Sequence, residues 1–111
     1  MATSIPAAAA DISAPAANTA AVVTYAAVPA RSHAITGVGW SYSGAPAGGN
    51  LKIEDGAGVT VFTLDVTSGG AGVVYFAPLK RGATNTACIV TLAAGGAGVS
   101  GKVSVLGHLT D

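Results

Sequence analysis

The sequence is poor in charge and has no long hydrophobic runs, and each shortage excludes a class of protein. Only 9% of the 111 residues are charged, and five basic residues balance five acidic ones, so the formal net charge is zero. Nucleic-acid binding requires a basic surface that releases counterions, and the scattered lysines and arginines predict none. No segment has the run of about 18 large apolar residues that a membrane-spanning helix needs, so no membrane partner is expected.

Cysteine is almost absent as well. Cys88 is the only cysteine, so a disulfide framework does not staple the fold. It lies in the apolar run of residues 87–90, where we expect a small buried hydrophobic group and not a reactive thiol. The N-terminus lacks the basic and leucine-rich segments of a secretory signal, which predicts synthesis and folding in a cytoplasm.

The sequence contains no constellation of residues that is typical of a catalytic or metal site. A Gly-x-Ser-x-Gly elbow, a dinucleotide-binding glycine motif and a phosphate-binding loop are all missing. His33 and His108 are the only histidines, lie far apart in the chain and are expected at the surface. Glu54 and Asp55 are adjacent, so on a strand they point to opposite faces and do not form a carboxylate pair. We therefore expect no enzyme activity, no bound metal and no cofactor.

Small residues are what the sequence has in abundance, with 16 glycines and a still larger number of alanines. Gly-Ala-Gly-Val occurs three times, at residues 56–59, 70–73 and 96–99. Glycine reaches positive φ without a steric penalty, so each copy predicts a tight reversal of the chain. The valine at the exit predicts the start of a strand.

Seven strand candidates follow one another from residue 20 onward, and no amphipathic helix competes with them. They cover residues 21–28, 32–43, 50–54, 59–66, 73–76, 85–93 and 99–106. Pro29 and Pro78 are expected to end the first and the fifth. The pattern predicts an all-β fold, an antiparallel β-sandwich or small jelly roll of about seven strands with an extended N-terminal arm.

The third and fourth candidates form the clearest hairpin, because the first Gly-Ala-Gly-Val copy lies between them. Alternation in the third candidate predicts that Leu51 and Ile53 face the core and that Lys52 and Glu54 face solvent. In the last two candidates the predicted inward residues are Cys88, Val90, Leu92, Val103 and Val105.

The second candidate has two very different faces. Four residues are predicted to share its apolar face: Ala34, Val38, Trp40 and Tyr42. The other face carries only small residues, which are Gly37, Gly39, Ser41 and Ser43. A strand face without large side chains lets another backbone approach closely.

Residues 1–19 have low complexity and are predicted to form an extended or disordered arm before a body of residues 20–111. Pro6 and Pro15 limit any helix in this arm, and Ile5 and Ile12 are its only large side chains. The arm is either a tail without a partner or a segment that orders against a neighbouring subunit through these four residues.

Two other pairs of residues admit a binding role. Trp40 and Tyr42, two apart on a strand, share a face on which a sugar ring could stack; the alternative is that Trp40 belongs to the core of a small sandwich. Lys80 and Arg81 follow Pro78 in a predicted loop, where they either lie in solvent or contact an acidic partner.

Two stretches of the sequence resemble small proteins encoded among the structural genes of tailed phages. They are HAITGVGWSYSG, at residues 33–44, and GGNLKIEDG, at residues 48–56, which continues to Phe62. The resemblance extends to about Leu106, and its motifs are turn and strand motifs that bring no catalytic residue.

The resemblance implies a virion component, in particular a capsid decoration (cement) protein on the surface of the phage head, made in the host cytoplasm. Proteins of that kind are often small, β-rich and trimeric, and carry an N-terminal arm. The partners it implies are the major capsid protein and further copies of the chain, in a homotrimer or another homo-oligomer. A hypothesis of a different class is a carbohydrate- or receptor-binding module of a phage fibre or tail that uses Trp40 and Tyr42.

Overall fold

The structure is a computed structural model that describes residues 3–4 and 12–110; for residues 3–4, 77–81, 108 and 110 only the backbone is described. Within these residues the chain forms strands and no helix. The strands are β1 (Thr3–Ser4), β2 (Ile12–Ser13), β3 (Ala21–Tyr25), β4 (Ser32–Tyr42), β5 (Asn50–Asp55), β6 (Thr60–Asp65), β7 (Gly70–Arg81), β8 (Cys88–Leu92) and β9 (Gly101–Thr110).

The strands form two antiparallel sheets that pack as a β-sandwich, which confirms the predicted fold. One sheet has the order β1–β9–β4–β7, and β2 also pairs with β9; the other has the order β3–β8–β5–β6. The seven longer strands match the seven candidates, and the hairpin of β5 and β6 is confirmed. β1 and β2 come from the predicted arm and pair with successive parts of β9.

The core lies between the sheets and follows the predicted alternation. Leu51 and Ile53 are at most 2% exposed, and the inward residues predicted for β8 and β9 are buried as well. Phe62 and Phe76 pack against this core with their rings edge to face, 5.0 Å apart. Burying a valine, leucine or isoleucine side chain contributes about 1.5–3 kcal/mol, so these alternating positions hold the two sheets together.

A β-bulge in β4 changes which residues of that strand reach the core. The register with both neighbouring strands shifts between Ile35 and Gly37. Thr36 lies in the bulge, and its hydroxyl donates a hydrogen bond to the carbonyl of Leu106 at 3.0 Å. Ile35 and Val38 therefore both join the core cluster, whereas Ala34 does not. The prediction that Ala34 shares a face with Val38 is wrong because an extra residue reverses the alternation.

The three Gly-Ala-Gly-Val copies do not have one structure. In the first and third copies both glycines have positive φ, between 75° and 98°, as the turn prediction requires. In the second copy only Gly70 does, and β7 already begins there. Gly72 lies in the strand opposite Trp40, where a Cβ atom would be 2.8 Å from Cε2 of the indole. The second glycine of this copy therefore makes room for an aromatic ring, and the predicted turn is wrong there.

β7 does not end at Pro78 but continues to Arg81, which corrects the predicted boundary. Pro78 falls between two registers of the β4–β7 pairing, after the pair Gly37–Tyr75 and before the pair Ile35–Lys80. β7 is also the last strand of its sheet. A proline is tolerated in such a strand because its missing N–H breaks no regular ladder.

Candidate functional site

The surface of the five-stranded sheet that points away from the core carries the candidate site. Four of the seven large hydrophobic side chains that are exposed in the described part of the chain lie there. We call this surface the outer face and define it by Ile12, Gly37, Gly39, Ser41, Val73, Tyr75, Lys102, Ser104 and Leu106.

The register sets these residues in rows, since directly paired residues of an antiparallel sheet lie side by side on one face. Gly37 lies between Tyr75 and Leu106. Gly39 lies between Val73 and Ser104, and Ile12 follows beyond Ser104. β4 is thus a floor without large side chains, and its apolar walls stand about 10 Å apart, two strand spacings.

The two glycines of this floor differ in what lies above them. A Cβ atom on Gly37 would be 3.0 Å from Cδ1 of Tyr75, so the tyrosine ring leans over Gly37 while remaining 69% exposed. A Cβ atom on Gly39 would find no atom closer than the carbonyl oxygen of Gly72, at 3.8 Å. The space above Gly39 is therefore open, in agreement with the prediction that this face admits a close approach.

Charge is sparse on the outer face. Among its defining residues Lys102 alone is charged, and it stands beside Ser41. A partner therefore displaces little bound water from charged groups when it covers this face, which keeps the desolvation cost low.

The structure separates the aromatic pair that was considered for sugar binding. Tyr42 is 2% exposed and its hydroxyl donates a hydrogen bond to the carbonyl of Ala93 at 2.6 Å. Burial raises the pKa of Tyr42, and a backbone hydrogen bond from Asn50 opposes this shift. Trp40 is half-buried against the core and lines a shallow pocket of about 230 Å³ with Asp65 and Thr67. Tyr42 offers no ring face to a ligand in this conformation, so only Trp40 of the pair borders solvent.

The other predicted contact residues fall in different places. Ile12 is 60% exposed on the outer face, and Pro15 is half-buried. Ile5 and Pro6 lie outside the described residues, so their contact role stays a prediction.

Lys80 and Arg81 belong to β7, paired with Ile35 and Ala34, and not to the loop that the sequence predicted. Their side chains lie outside the described part of the structure, so their contact with a partner also stays a prediction.

Two residues that were predicted at the surface are buried. His33 is 7% exposed and Glu54 is 9% exposed. The first glycine turn covers Glu54, whose Oε2 accepts a hydrogen bond from the backbone N–H of Gly58 at 2.8 Å. The spacing of four residues between Glu54 and Gly58, the second glycine of the turn, was the signal in the sequence for this contact. Nothing in the local sequence marks His33 for burial.

The described residues contain no group of three or more His, Cys, Asp or Glu side chains that could hold a metal ion. They also contain no helix long and apolar enough to cross a membrane.

Comparison with known proteins shows likeness in structure only. The chain matches no protein-family model and no curated sequence. It is similar to a carbohydrate-binding module, CBM36, solved in complex with calcium and xylotriose, with a TM-score of 0.45 and 18% identity over 99% of this chain and 88% of that one. It is also similar to a chain of the virus-like particle of extra small virus from the giant freshwater prawn Macrobrachium rosenbergii, with a TM-score of 0.38 and 12% identity over 100% and 79% of the two chains.

Proposed function

We propose that this chain is a structural virion protein, a capsid decoration protein that binds the phage head shell through the outer face. The observation that carries this proposal is the outer face itself, where exposed Ile12, Val73, Tyr75 and Leu106 surround a glycine floor that is open above Gly39. The resemblance of residues 33–62 to small proteins encoded among tailed-phage structural genes is the reason for proposing the phage head shell as the partner.

The chemistry of the outer face suits a protein partner more than a small ligand. Exposed apolar side chains that form one patch mark interaction sites, whereas single ones are ordinary. Fully burying a valine or leucine contributes about 1.5–3 kcal/mol, so a few such anchors give a stable contact if the rest of the interface excludes water. The floor at Gly39 lets a backbone segment of the partner come close enough to do so.

The arm extends the same surface. Ile12 of β2 stands next to Ser104, in the row that contains Gly39 and Val73. An arm that orders on the head shell would therefore form one continuous contact with the sandwich, and Ile5, Pro6 and Pro15 are its further predicted contacts. In this proposal three copies assemble into a trimer on the capsid surface, which also covers sheet edges that would otherwise pair with other chains.

The direct test compares Val73→Asp with Val22→Asp in co-sedimentation with head shells of the phage that encodes the chain. Both valines lie in the last strand of a sheet, 52% and 43% exposed, but Val22 lies on the opposite side of the sandwich. Val73→Asp is expected to abolish shell binding, because a buried unpaired carboxylate is costly. Val22→Asp is expected to bind as the unchanged chain does.

Two outcomes would remove this assignment. Equal binding by both aspartate variants would show that the outer face is not the contact surface. Binding by neither the variants nor the unchanged chain would reject the decoration role itself. Light scattering on a sizing column tests the trimer separately, and deletion of residues 1–18 tests the arm: we expect shell binding to be lost while the β-sheet circular dichroism is retained.

Trp40 supports a second candidate, a carbohydrate-binding module of a fibre or tail. Its half-buried indole lines the shallow pocket next to Asp65, and aromatic rings beside polar groups are common in sugar sites. A glycan array with the unchanged chain and Trp40→Ala decides between the roles of this residue. Loss of glycan binding by a folded variant would support the module, whereas unfolding would assign Trp40 to the core.

A further inference from the structure

Within the described residues, three of the four edges of the two sheets are protected against pairing with another chain. One edge of the five-stranded sheet consists of β1 and β2, which have two residues each. In the four-stranded sheet, the edge strand β3 is capped by the arm, because the N–H of Val22 donates to the hydroxyl of Ser13 at 3.2 Å. The opposite edge strand, β6, is interrupted by a register shift and ends in Asp65. Short strands, covering segments, irregularities and charges are the usual devices that prevent edge pairing.

β7 is the fourth edge, and its first half has none of these devices. It is the last strand of the five-stranded sheet, so no strand of the described residues pairs with its outer side. Residues 70–75 contain no charge and no proline, and their register with β4 runs without a shift. Pro78, Lys80 and Arg81 come only later in the strand. We call residues 70–75 of β7 the open edge.

The β4–β7 ladder shows which backbone groups of the open edge lack a partner. The carbonyl oxygens of Gly72 and Val74 point toward β4, since they lie 3.8 and 3.2 Å from Cβ positions on Gly39 and Gly37. In an antiparallel strand, successive residues direct their N–H and C=O groups to opposite neighbours. Val73 and Tyr75 therefore direct their N–H and C=O groups away from the sheet, toward the side where a further strand would lie.

The side chains of these two residues are exposed as well. Val73 is 52% exposed and Tyr75 is 69% exposed, whereas Val74 and Phe76 pack against the core. The ring of Phe76 meets the ring of Phe62 edge to face at 5.0 Å, which fixes β7 on the sandwich. A partner thus meets a strand that is already formed, so the entropy cost of ordering it is small. Strand addition draws affinity from such backbone groups and selectivity from the alternate side chains.

We propose that the open edge pairs with the open edge of a second copy of this chain, antiparallel and across a two-fold axis. Two copies of one strand are complementary in this arrangement, because each outward N–H meets an outward C=O of the other copy. With Val73 opposite Tyr75 of the second copy, the exposed apolar side chains also meet. The chain has no net charge, so two copies do not repel each other, and an acidic or basic peptide would find no opposite charge on the open edge.

This pairing goes beyond the decoration role and does not depend on it. It joins the five-stranded sheets of two copies into one continuous sheet and leaves both outer faces uncovered on the same side. A two-fold contact is complete with two copies, so it predicts a dimer in free solution. That symmetry differs from that of the trimer proposed on the capsid surface.

The test is light scattering of the full chain over a range of concentrations, without head shells. The mass should rise from that of one chain, 10.6 kDa, to twice that value, with a dissociation constant on the order of 10–100 μM. Val73→Pro removes an outward N–H without breaking the ladder to β4, and it should weaken dimerisation at least about tenfold. Val73→Thr keeps the N–H and the branched shape, and it should dimerise as the unchanged chain does.

A second variant separates pairing at the edge from contact through the outer face. Leu106 is as exposed as Val73, but it lies on β9, on the far side of β4 from the open edge. Leu106→Asp should therefore leave dimerisation unchanged. Loss of the dimer in Leu106→Asp would show that the copies meet through the outer face, which would overturn the proposal.

Amide hydrogen exchange of the unchanged chain provides a test that needs no folded proline variant. The N–H groups of Val73 and Tyr75 should exchange more slowly as the protein concentration rises. The N–H of Val74 should be protected at every concentration, because it bonds to β4. Concentration-independent exchange at Val73 and Tyr75 would overturn the proposal, and so would a mass of one or of three chains at every concentration. Because no head shell is used, these outcomes leave the decoration role to its own test.

Discussion

The two outward surfaces of the sandwich are built by the same alternation and yet differ in kind. On the four-stranded sheet one row runs across all four strands and consists of Val22, Thr91, Lys52 and Thr63. The corresponding row of the five-stranded sheet consists of Val73, Gly39, Ser104 and Ile12. Threonine and lysine suit a strand whose face lies in water, whereas the second row has a glycine between Val73 and Ser104 and ends in the exposed Ile12.

This difference indicates that the outward surface of the four-stranded sheet is suited to solvent, whereas that of the five-stranded sheet is suited to contact with a partner. A surface that keeps polar strand formers has little to gain from a partner. The outer face has no large side chains along its central strand and has exposed apolar side chains on either side of it. Covering these apolar side chains with a partner is energetically favourable. Substitutions at the core side of the five-stranded sheet should therefore change stability most, and those on its outer face should change binding most.

The largest expected effect is on stability, and it distinguishes an alanine substitution at Gly72 from one at Gly39. The two glycines lie in neighbouring strands of the same sheet. A methyl group at Gly72 would overlap the indole of Trp40, whereas one at Gly39 meets nothing within 3.8 Å. Gly72→Ala should therefore destabilise the fold by about 2–3 kcal/mol. Gly39→Ala should stabilise it by about 0.5 kcal/mol, because alanine loses less backbone entropy in a strand.

Urea unfolding of the two variants measures both values. Equal destabilisation would show that glycine at both positions serves only the strand geometry. If Gly39→Ala is stable but no longer binds head shells, the open floor of the outer face is needed for contact.

The next effect is a loss of stability in alkaline solution. Burial raises the pKa of Cys88 from 9.0 to about 11 in the folded protein. The folded state therefore keeps the thiol protonated at pH values where the unfolded chain loses the proton. The contribution of the neutral thiol to the free energy of unfolding is complete below pH 9 and is lost as the pH rises toward 11. The loss should amount to about 2 kcal/mol, because each pKa unit corresponds to 1.36 kcal/mol.

Unfolding free energies at several pH values between 8 and 11 measure this slope for the unchanged chain and for Cys88→Ala. The variant should lose much of the slope. Tyr42→Phe is the control, because burial also raises the pKa of Tyr42 and contributes above pH 10. An unchanged slope in Cys88→Ala would show that the thiol is not shielded from water in the folded protein.

The smallest effect is expected at Tyr75. Its ring leans over Gly37 but remains 69% exposed, so Tyr75→Ala should cost about 0.5 kcal/mol of stability, as cross-strand pairs on exposed faces do. The same variant should weaken shell binding far more than it weakens the fold. A stability loss as large as that of Gly72→Ala would place Tyr75 among the residues that hold the sandwich together.

The sequence predicted the local features well, because these depend on near neighbours. Alternation placed Leu51 and Ile53 in the core, and the first Gly-Ala-Gly-Val copy placed the hairpin between β5 and β6. The small residues of β4 were predicted to leave one face open, and Gly39 lies on an open face.

Prediction failed where the identity of the paired strand mattered. The second Gly-Ala-Gly-Val copy has the same letters as the others, but its Gly72 lies opposite Trp40 and makes room for the indole. Proline has no backbone N–H, so it ends a strand only at a position where a regular ladder needs that donor. In β7, Pro78 falls between two registers and no such donor is needed. The candidate site was half predicted: its floor was visible in the sequence, but its walls on β7 and β9 were not.

Composition and alternation by themselves determined that this chain is an all-β sandwich with glycine turns and a weakly charged surface. Only the tertiary structure decided that one bulge brings Ile35 instead of Ala34 into the core cluster, although both residues are buried, and that His33 and Glu54 line a cavity. The physical reason is that strand propensity and turn formation are properties of consecutive residues. Burial, rows of exposed side chains and cavities arise from register between strands that lie tens of residues apart.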